Sequence, residues 1–267
     1  MSMMGRRCLT LSIFLSISTT GFAKTVFRGD FEPIDWLKTF NIFVQPPWTE
    51  NLKHTSRIFD PDKKKYVLQV VYPANKFGND QSGAQWPTYL DKSYERLIVS
   101  YDVKFSQNFQ FVKGGKLPGL IGGHREGHPH SNLTGGHRPN GKDGWSGRIM
   151  WRRDGNIVQY VYHPDQPDKW GQDFPWMING KPARFTPGKW HNLKTEIVMN
   201  TPGQKNGIIR SWLDGEKALE ITTLRFRDIP TIGIDALYFS TFYGGDDKTW
   251  CPTSETKSYF DNFAIID

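Results

Sequence analysis

Apolar and polar residues along this chain fall mostly in short runs with a period near two. The clearest are YVLQVVY (Tyr66 to Tyr72), LIVSYDVKF (Leu97 to Phe105), SGRIMWR (Ser146 to Arg152) and IVQYVY (Ile157 to Tyr162). β-Branched and aromatic residues dominate them, and successive side chains of a strand point to opposite faces. Fainter runs predict strands at Phe27 to Phe31, Phe109 to Leu117, His191 to Met199, Ile208 to Asp214, Ala218 to Thr222, Ala236 to Phe242 and Tyr259 to Ile266. No apolar i, i+3, i+4, i+7 pattern is sustained anywhere. Residues 24–56, with Trp36 and Pro46-Pro47-Trp48, are expected to form an opening strand and loops along a sheet edge. Pro118-Gly119 and Gly122-Gly123 are expected to end a strand, and 122–145 and 164–189 to be long loops. Strands punctuated by turns, without linker or repeat, predict one all-β domain, a sandwich or jelly roll.

Pairing across Asp154-Gly155 decides which side chains share a face. A two-residue loop sets Arg148 against Val161 and leaves Tyr160 on the opposite face. A three-residue loop, Arg153-Asp154-Gly155 with the glycine left-handed in a G1 bulge, sets Arg148 against Tyr160 and Ser146 against Tyr162. That register sends Ile149, Trp151, Ile157 and Val161 to one face, as a core requires. It gathers Ser146, Arg148, Tyr160 and Tyr162 on the other, with Met150 and Arg152 nearby. It sorts polar from apolar better, so it is the expected one.

Composition narrows the setting. Arg6 and Arg7, the apolar stretch Leu9 to Ile17 and Gly21-Phe22-Ala23 have the layout of a secretory signal cleaved near Ala23. The apolar stretch is too short to span a bilayer, so the expectation is a soluble, secreted or periplasmic protein whose single domain occupies 24–267. Two of the 34 basic residues and no acidic ones lie in 1–23, which leaves 32 against 27 and a net charge of +5. Cys8 lies in the signal and Cys251 is left alone, so no intrachain disulfide can form. A modest positive charge favours an acidic partner, and no RNP, KH or zinc-ribbon pattern points to nucleic acid. The ten Trp exceed what a core alone needs, and flat aromatics suit sugar rings.

A face bearing Lys, Arg, Ser and two Tyr suits β-elimination on a uronate polymer. That reaction needs a cation or donor against the C5 carboxylate, a base for the C5 proton and an acid for the departing O4. Tyr, with a pKa of about 10, serves either proton step beside a cation, and Lys serves as base once burial or a neighbouring Arg lowers its pKa. The same face also suits a lectin. KGGKLPGLIGG (Lys113 to Gly123), SGRIMWR followed by DG, YVYHP, ALYFSTFYGG (Ala236 to Gly245) and YFDNFAI (Tyr259 to Ile265) together resemble polysaccharide lyase family 14, which contains alginate and glucuronan lyases.

The resemblance covers most of residues 97–267 and implies a concanavalin-like β-jelly roll with a cleft across its concave sheet. It implies that Lys116 and one of Tyr160 and Tyr162 transfer protons while Ser146 and Arg148 hold the substrate. Which residue is base and which acid stays open. Lys113 and Arg152 are expected beside the substrate by alternation, and His124 or Arg125 by closure of the His-rich loop 122–145. His124, His128, His130 and His137 sit in a Gly/Pro-rich loop without CxxC or HExxH spacing, so no metal and no cofactor is expected. The expected protein is a monomeric lyase of alginate, polymannuronate or glucuronan. The rivals are a non-catalytic carbohydrate-binding jelly roll and a glycoside hydrolase. The hydrolase would need two carboxylates about 5–9.5 Å apart, and no E-x-D-x-x-E motif is present.

Overall fold

The computed structural model describes residues 24–42, 49, 51–123 and 134–267. The export signal, Pro46-Pro47-Trp48 and the expected contacts of His124 and Arg125 lie outside the described residues. In chain order the strands are β1 (Thr25–Gly29), β2 (Thr55–Asp60), β3 (Lys65–Tyr72), β4 (Ala84–Tyr94), β5 (Arg96–Phe105), β6 (Gly114–Gly122), β7 (Trp145–Arg152) and β8 (Ile157–Tyr162). They continue with β9 (Gln172–Pro175), β10 (Met177–Ile178), β11 (Lys181–Pro182), β12 (Trp190–Val198), β13 (Gly207–Leu213), β14 (Glu216–Leu224), β15 (Ile234–Thr241) and β16 (Thr256–Ile266). Helix α1 (Trp36–Thr39) is a single turn. Among the described residues, no helix is long and apolar enough to cross a membrane.

Two antiparallel sheets form the jelly roll. One runs β14-β13-β12-β5-β16-β3-β2, with β1 also paired to β16; the other runs β4-β15-β6-β7-β8-β9. Their facing sides share one core. Trp151 of the smaller sheet packs edge-on against Tyr72 and Phe105 of the larger, with centroids 5.9 and 5.6 Å apart. Phe239 meets Phe260 at 5.0 Å. Burial of these large rings is what holds the sheets together, for Cys251 is a free thiol.

Three sequence expectations are corrected. Pro118-Gly119 does not end a strand but sits inside β6, where the register to β7 shifts between Leu117 and Leu120. Leu117 and Leu120, three apart, thereby both face the core, and the Pro118 carbonyl accepts the Tyr101 hydroxyl at 3.0 Å. Gly119 is required there: a Cβ would lie 2.2 Å from the Gly147 carbonyl oxygen. Second, 164–189 is not simply a loop, because it supplies β9, the edge strand beside β8, and the small β10-β11 hairpin. Third, β2 and β4 were not expected. Both are edge strands; β2 is mostly half-buried, and β4 carries Pro87, which an edge strand tolerates because it lacks a second neighbour. The opening strand also falls two residues earlier than expected.

The β7–β8 register agrees with the sequence: Arg148 pairs with Tyr160 and Ser146 with Tyr162. The connection is a variant of the expected one. Asp154 (φ 61) and Gly155 (φ 75) are both left-handed, so the turn is not a single-glycine G1 bulge. Arg152 N–H donates to the Asn156 carbonyl at 2.7 Å, which leaves three residues between these partners.

Candidate active site

The outer face of the smaller sheet carries a cleft of about 660 Å³ whose lining includes Lys116, Arg148, Met150, Arg152, Tyr160, Tyr162 and Tyr238. Strand alternation builds it. Lys116 on β6 lies opposite Met150 on β7, Arg148 lies opposite Tyr160 on β8, and Tyr238 and Ser240 come from β15.

Arg148 is 2% exposed. One guanidinium nitrogen donates to Ser240 Oγ at 3.1 Å, and the Tyr238 ring lies 5.4 Å away. Its Nε has no hydrogen-bond partner, and among the described residues no carboxylate comes within ion-pair distance of it. A buried guanidinium without a counter-charge is costly and is electrostatically set for an anion. The strand beneath it is fixed from the core side: Gln159 donates to the Arg148 carbonyl at 3.0 Å and accepts from Ser211 of the opposite sheet at 3.0 Å.

Lys116 is half-buried. Its Nζ lies 3.7 Å from the centre of the Tyr160 ring and donates to Met150 Sδ at 2.9 Å, a weak acceptor. Loss of solvent, reinforced by the Arg148 and Arg152 charges, holds its pKa well below the usual lysine range. Arg152 differs from Arg148, because it forms a bidentate pair with Asp173 of β9 at 2.8 and 2.6 Å.

The two tyrosines stand edge to face, centroids 5.4 Å apart, with hydroxyls 3.4 Å apart. Each phenol oxygen also accepts a main-chain N–H, Tyr160 from Gly171 at 3.1 Å and Tyr162 from Gly136 at 3.2 Å. Burial pushes the Tyr160 hydroxyl far above its ordinary value, so it is protonated at any physiological pH. Gly171 reaches this close because a Cβ there would lie 2.8 to 2.9 Å from both rings.

Of the residues expected from sequence, Lys116, Arg148, Arg152, Tyr160 and Tyr162 therefore converge. Ser146 shares their face but is fully buried and does not line the cleft. Lys113 lies at its margin, bonded to Thr249 and 5.7 Å from the Trp250 ring. His137 pairs with Asp143 at 2.8 Å, and among the described residues no three His, Cys, Asp or Glu side chains cluster to hold a metal. Sequence reasoning missed Tyr238, Gln85 (which accepts its hydroxyl at 2.9 Å), Asp173, Trp170 and Trp250. Only Tyr238 carried a signal, the alternation within ALYFSTFYGG.

Comparison with known proteins identifies the family and the fold. A family model described as Polysaccharide lyase 14 matches residues 60–263. The crystal structure of a marine PL-14 alginate lyase from Aplysia kurodai superposes with a TM-score of 0.75 at 27% identity, covering 91% of this chain and 99% of that one. An endo-β-1,4-glucuronan lyase from the fungus Trichoderma reesei shares the fold, with a TM-score of 0.56 and 14% identity over 91% of this chain and 95% of its own. Exolysin of Paramecium bursaria Chlorella virus 1 is 24% identical over 218 residues, 73% of this chain. The chain spans about a third, 32%, of that protein's length.

Proposed function

The chain belongs to the polysaccharide lyase 14 family, and from that premise we propose that it cleaves an acidic polyuronate, alginate or a glucuronan, by β-elimination. One observation carries the reading: a buried Arg148 without a carboxylate partner beside a Lys116 amine whose protonation is disfavoured. Arg148 takes the C5 carboxylate of the substrate, which supplies its missing counter-charge and makes the C5 proton more acidic. Lys116, neutral through its lowered pKa, accepts that proton. The C5–H electrons become the C4=C5 double bond as C4–O4 breaks, and the Tyr160 hydroxyl gives its proton to O4. Negative charge then developing on Tyr160 is met by the Gly171 N–H and the Tyr162 hydroxyl. Water returns the proton from Lys116 to Tyr160.

A non-catalytic carbohydrate-binding protein has no use for an amine whose protonation is disfavoured, so that alternative is not favoured. An exported monomer that acts on polymer outside the cell is the setting we propose.

The test is a panel of alginate, polymannuronate, polyguluronate and glucuronan, followed by the ultraviolet absorbance of the new double bond. Product from at least one is expected, and absence of product from all would overturn the lyase reading. The rate should climb with pH through the depressed Lys116 pKa, and its alkaline fall should lie above the ordinary tyrosine range near 10. Lys116→Arg, which cannot be neutral, should abolish it.

A further inference from the structure

Two tryptophans line the cleft, and each has a lysine against its ring. Trp170 is 43% exposed, and Lys169 Nζ lies 5.0 Å from its centre. Trp250 is half-buried, with Lys113 Nζ at 5.7 Å. Neither lysine has a carboxylate within ion-pair distance among the described residues; Asp247 acts on Lys113 from further off, through Thr249.

The pairs stand on opposite sides of the reacting centre, as the strand order β15-β6-β7-β8-β9 indicates. Gly171, next to Trp170, presses on the Tyr160 and Tyr162 rings. Lys116 on β6 reaches across β7, where Met150 Sδ accepts from it, to lie over the Tyr160 ring of β8. A Cβ at Gly244 would then be 3.6 Å from both Met150 Cε and the Trp250 indole. Trp170 thus stands beside β8 and β9, and Trp250 beside the start of β6 and the segment that follows β15.

Both indoles are seated. The Trp170 ring lies 3.0 Å from where a Cβ of Gly136 would be, and its backbone N–H donates to Asp168 at 2.6 Å. Trp250 lies across Gly245, where a Cβ would come within 2.1 Å of the ring. A fixed indole with an accessible face is a platform for the apolar C–H face of a pyranose, and the flexible lysine over each ring can swing to meet that sugar's carboxylate.

Resting on the lyase reading, we propose that Trp170–Lys169 and Trp250–Lys113 are two uronate-binding platforms on either side of the scissile bond. The cleft thus holds an internal stretch of polymer and cuts endolytically. Substrates too short to cover both platforms are turned over poorly.

The experiment is a chain-length series of oligouronates with the wild type and Trp170→Ala, Trp250→Ala, Lys169→Met and Lys113→Met. In the wild type, kcat/KM should rise with length until both platforms are occupied. Each tryptophan variant should lose about tenfold on polymer, chiefly in KM, and flatten the length dependence. The lysine variants should weaken binding less and lose part of its salt dependence, and Trp→Phe should restore part of the loss. Quenching of tryptophan fluorescence by oligouronates in Lys116→Ala protein reads occupancy without turnover, and the quench should be halved in either Trp→Ala background. A lyase whose kcat/KM, product lengths and quenching survive both Trp→Ala changes overturns the platforms and leaves the lyase reading intact. Quenching with no unsaturated product from the wild type overturns the lyase reading instead.

Discussion

Enclosed by Tyr160, Met150 and two guanidinium groups, the Lys116 amine is harder to protonate in the folded protein than in the unfolded chain. Between its folded pKa and the unfolded value of about 10.4, the unfolded state binds more protons, so this residue's contribution to stability rises with pH. Lys116 is therefore a liability near neutrality and none above the unfolded pKa. Lys116→Met should abolish turnover while raising Tm at pH 7 by about 2 °C, the effect of ~1 kcal/mol in a domain of this size. That advantage should vanish as the pH approaches 10.5. Calorimetric melts at the two pH values check it, and equal or lower stability of the variant at pH 7 would contradict the assignment. Arg148 is the parallel case, since its buried charge gains a partner only when an anion enters. Arg148 and the tyrosines were legible in the sequence from alternation and one hairpin register, whereas Lys116, on a separate strand, was singled out by the family resemblance. That Arg152 is neutralised by Asp173 while Arg148 is not was illegible, because Asp173 comes from a distant four-residue edge strand with no apolar pattern.

At the scale of the strand, β6 shows how a sequence signal misleads. Pro118-Gly119 reads as a terminator, yet the bulge it makes keeps Leu117 and Leu120 in the core and Lys116 in the cleft. A Cβ at Gly119 would meet the Gly147 carbonyl and come 2.6 Å from Arg148 Cα. Gly119→Ala should therefore push β7 outward, cost roughly 1–3 kcal/mol as overpacked interiors do, and lower kcat by displacing Arg148. A denaturant midpoint and a rate measured on the same sample check both, and a variant with wild-type values for each would show that β7 yields freely. Strands with two neighbours, β5, β7 and β8 among them, were legible because both faces are constrained by packing. Strands β2, β4 and β9 were not, because β2 and β9 lack a regular buried apolar alternation and Pro87 interrupts β4.

In the whole molecule, β16 is the keystone. It lies between β3 and β5 and also receives β1, with Thr25 opposite Ile266 and Gly29 opposite Phe263. Phe260, Phe263 and Ile265 deliver its core contacts. A chain ending at residue 255 keeps every described cleft residue and should nevertheless show no cooperative melt and no protease-resistant core; a sharp transition from that fragment would refute this. Synthesis is directional, so the ribosome finishes every described cleft residue before it makes the strand that allows the larger sheet to close. Until residues 256–266 emerge, the partner edges of β3 and β5 stay open, a state prone to edge-to-edge association. The order of residues in the gene therefore places closure of the larger sheet after every described cleft residue has been made.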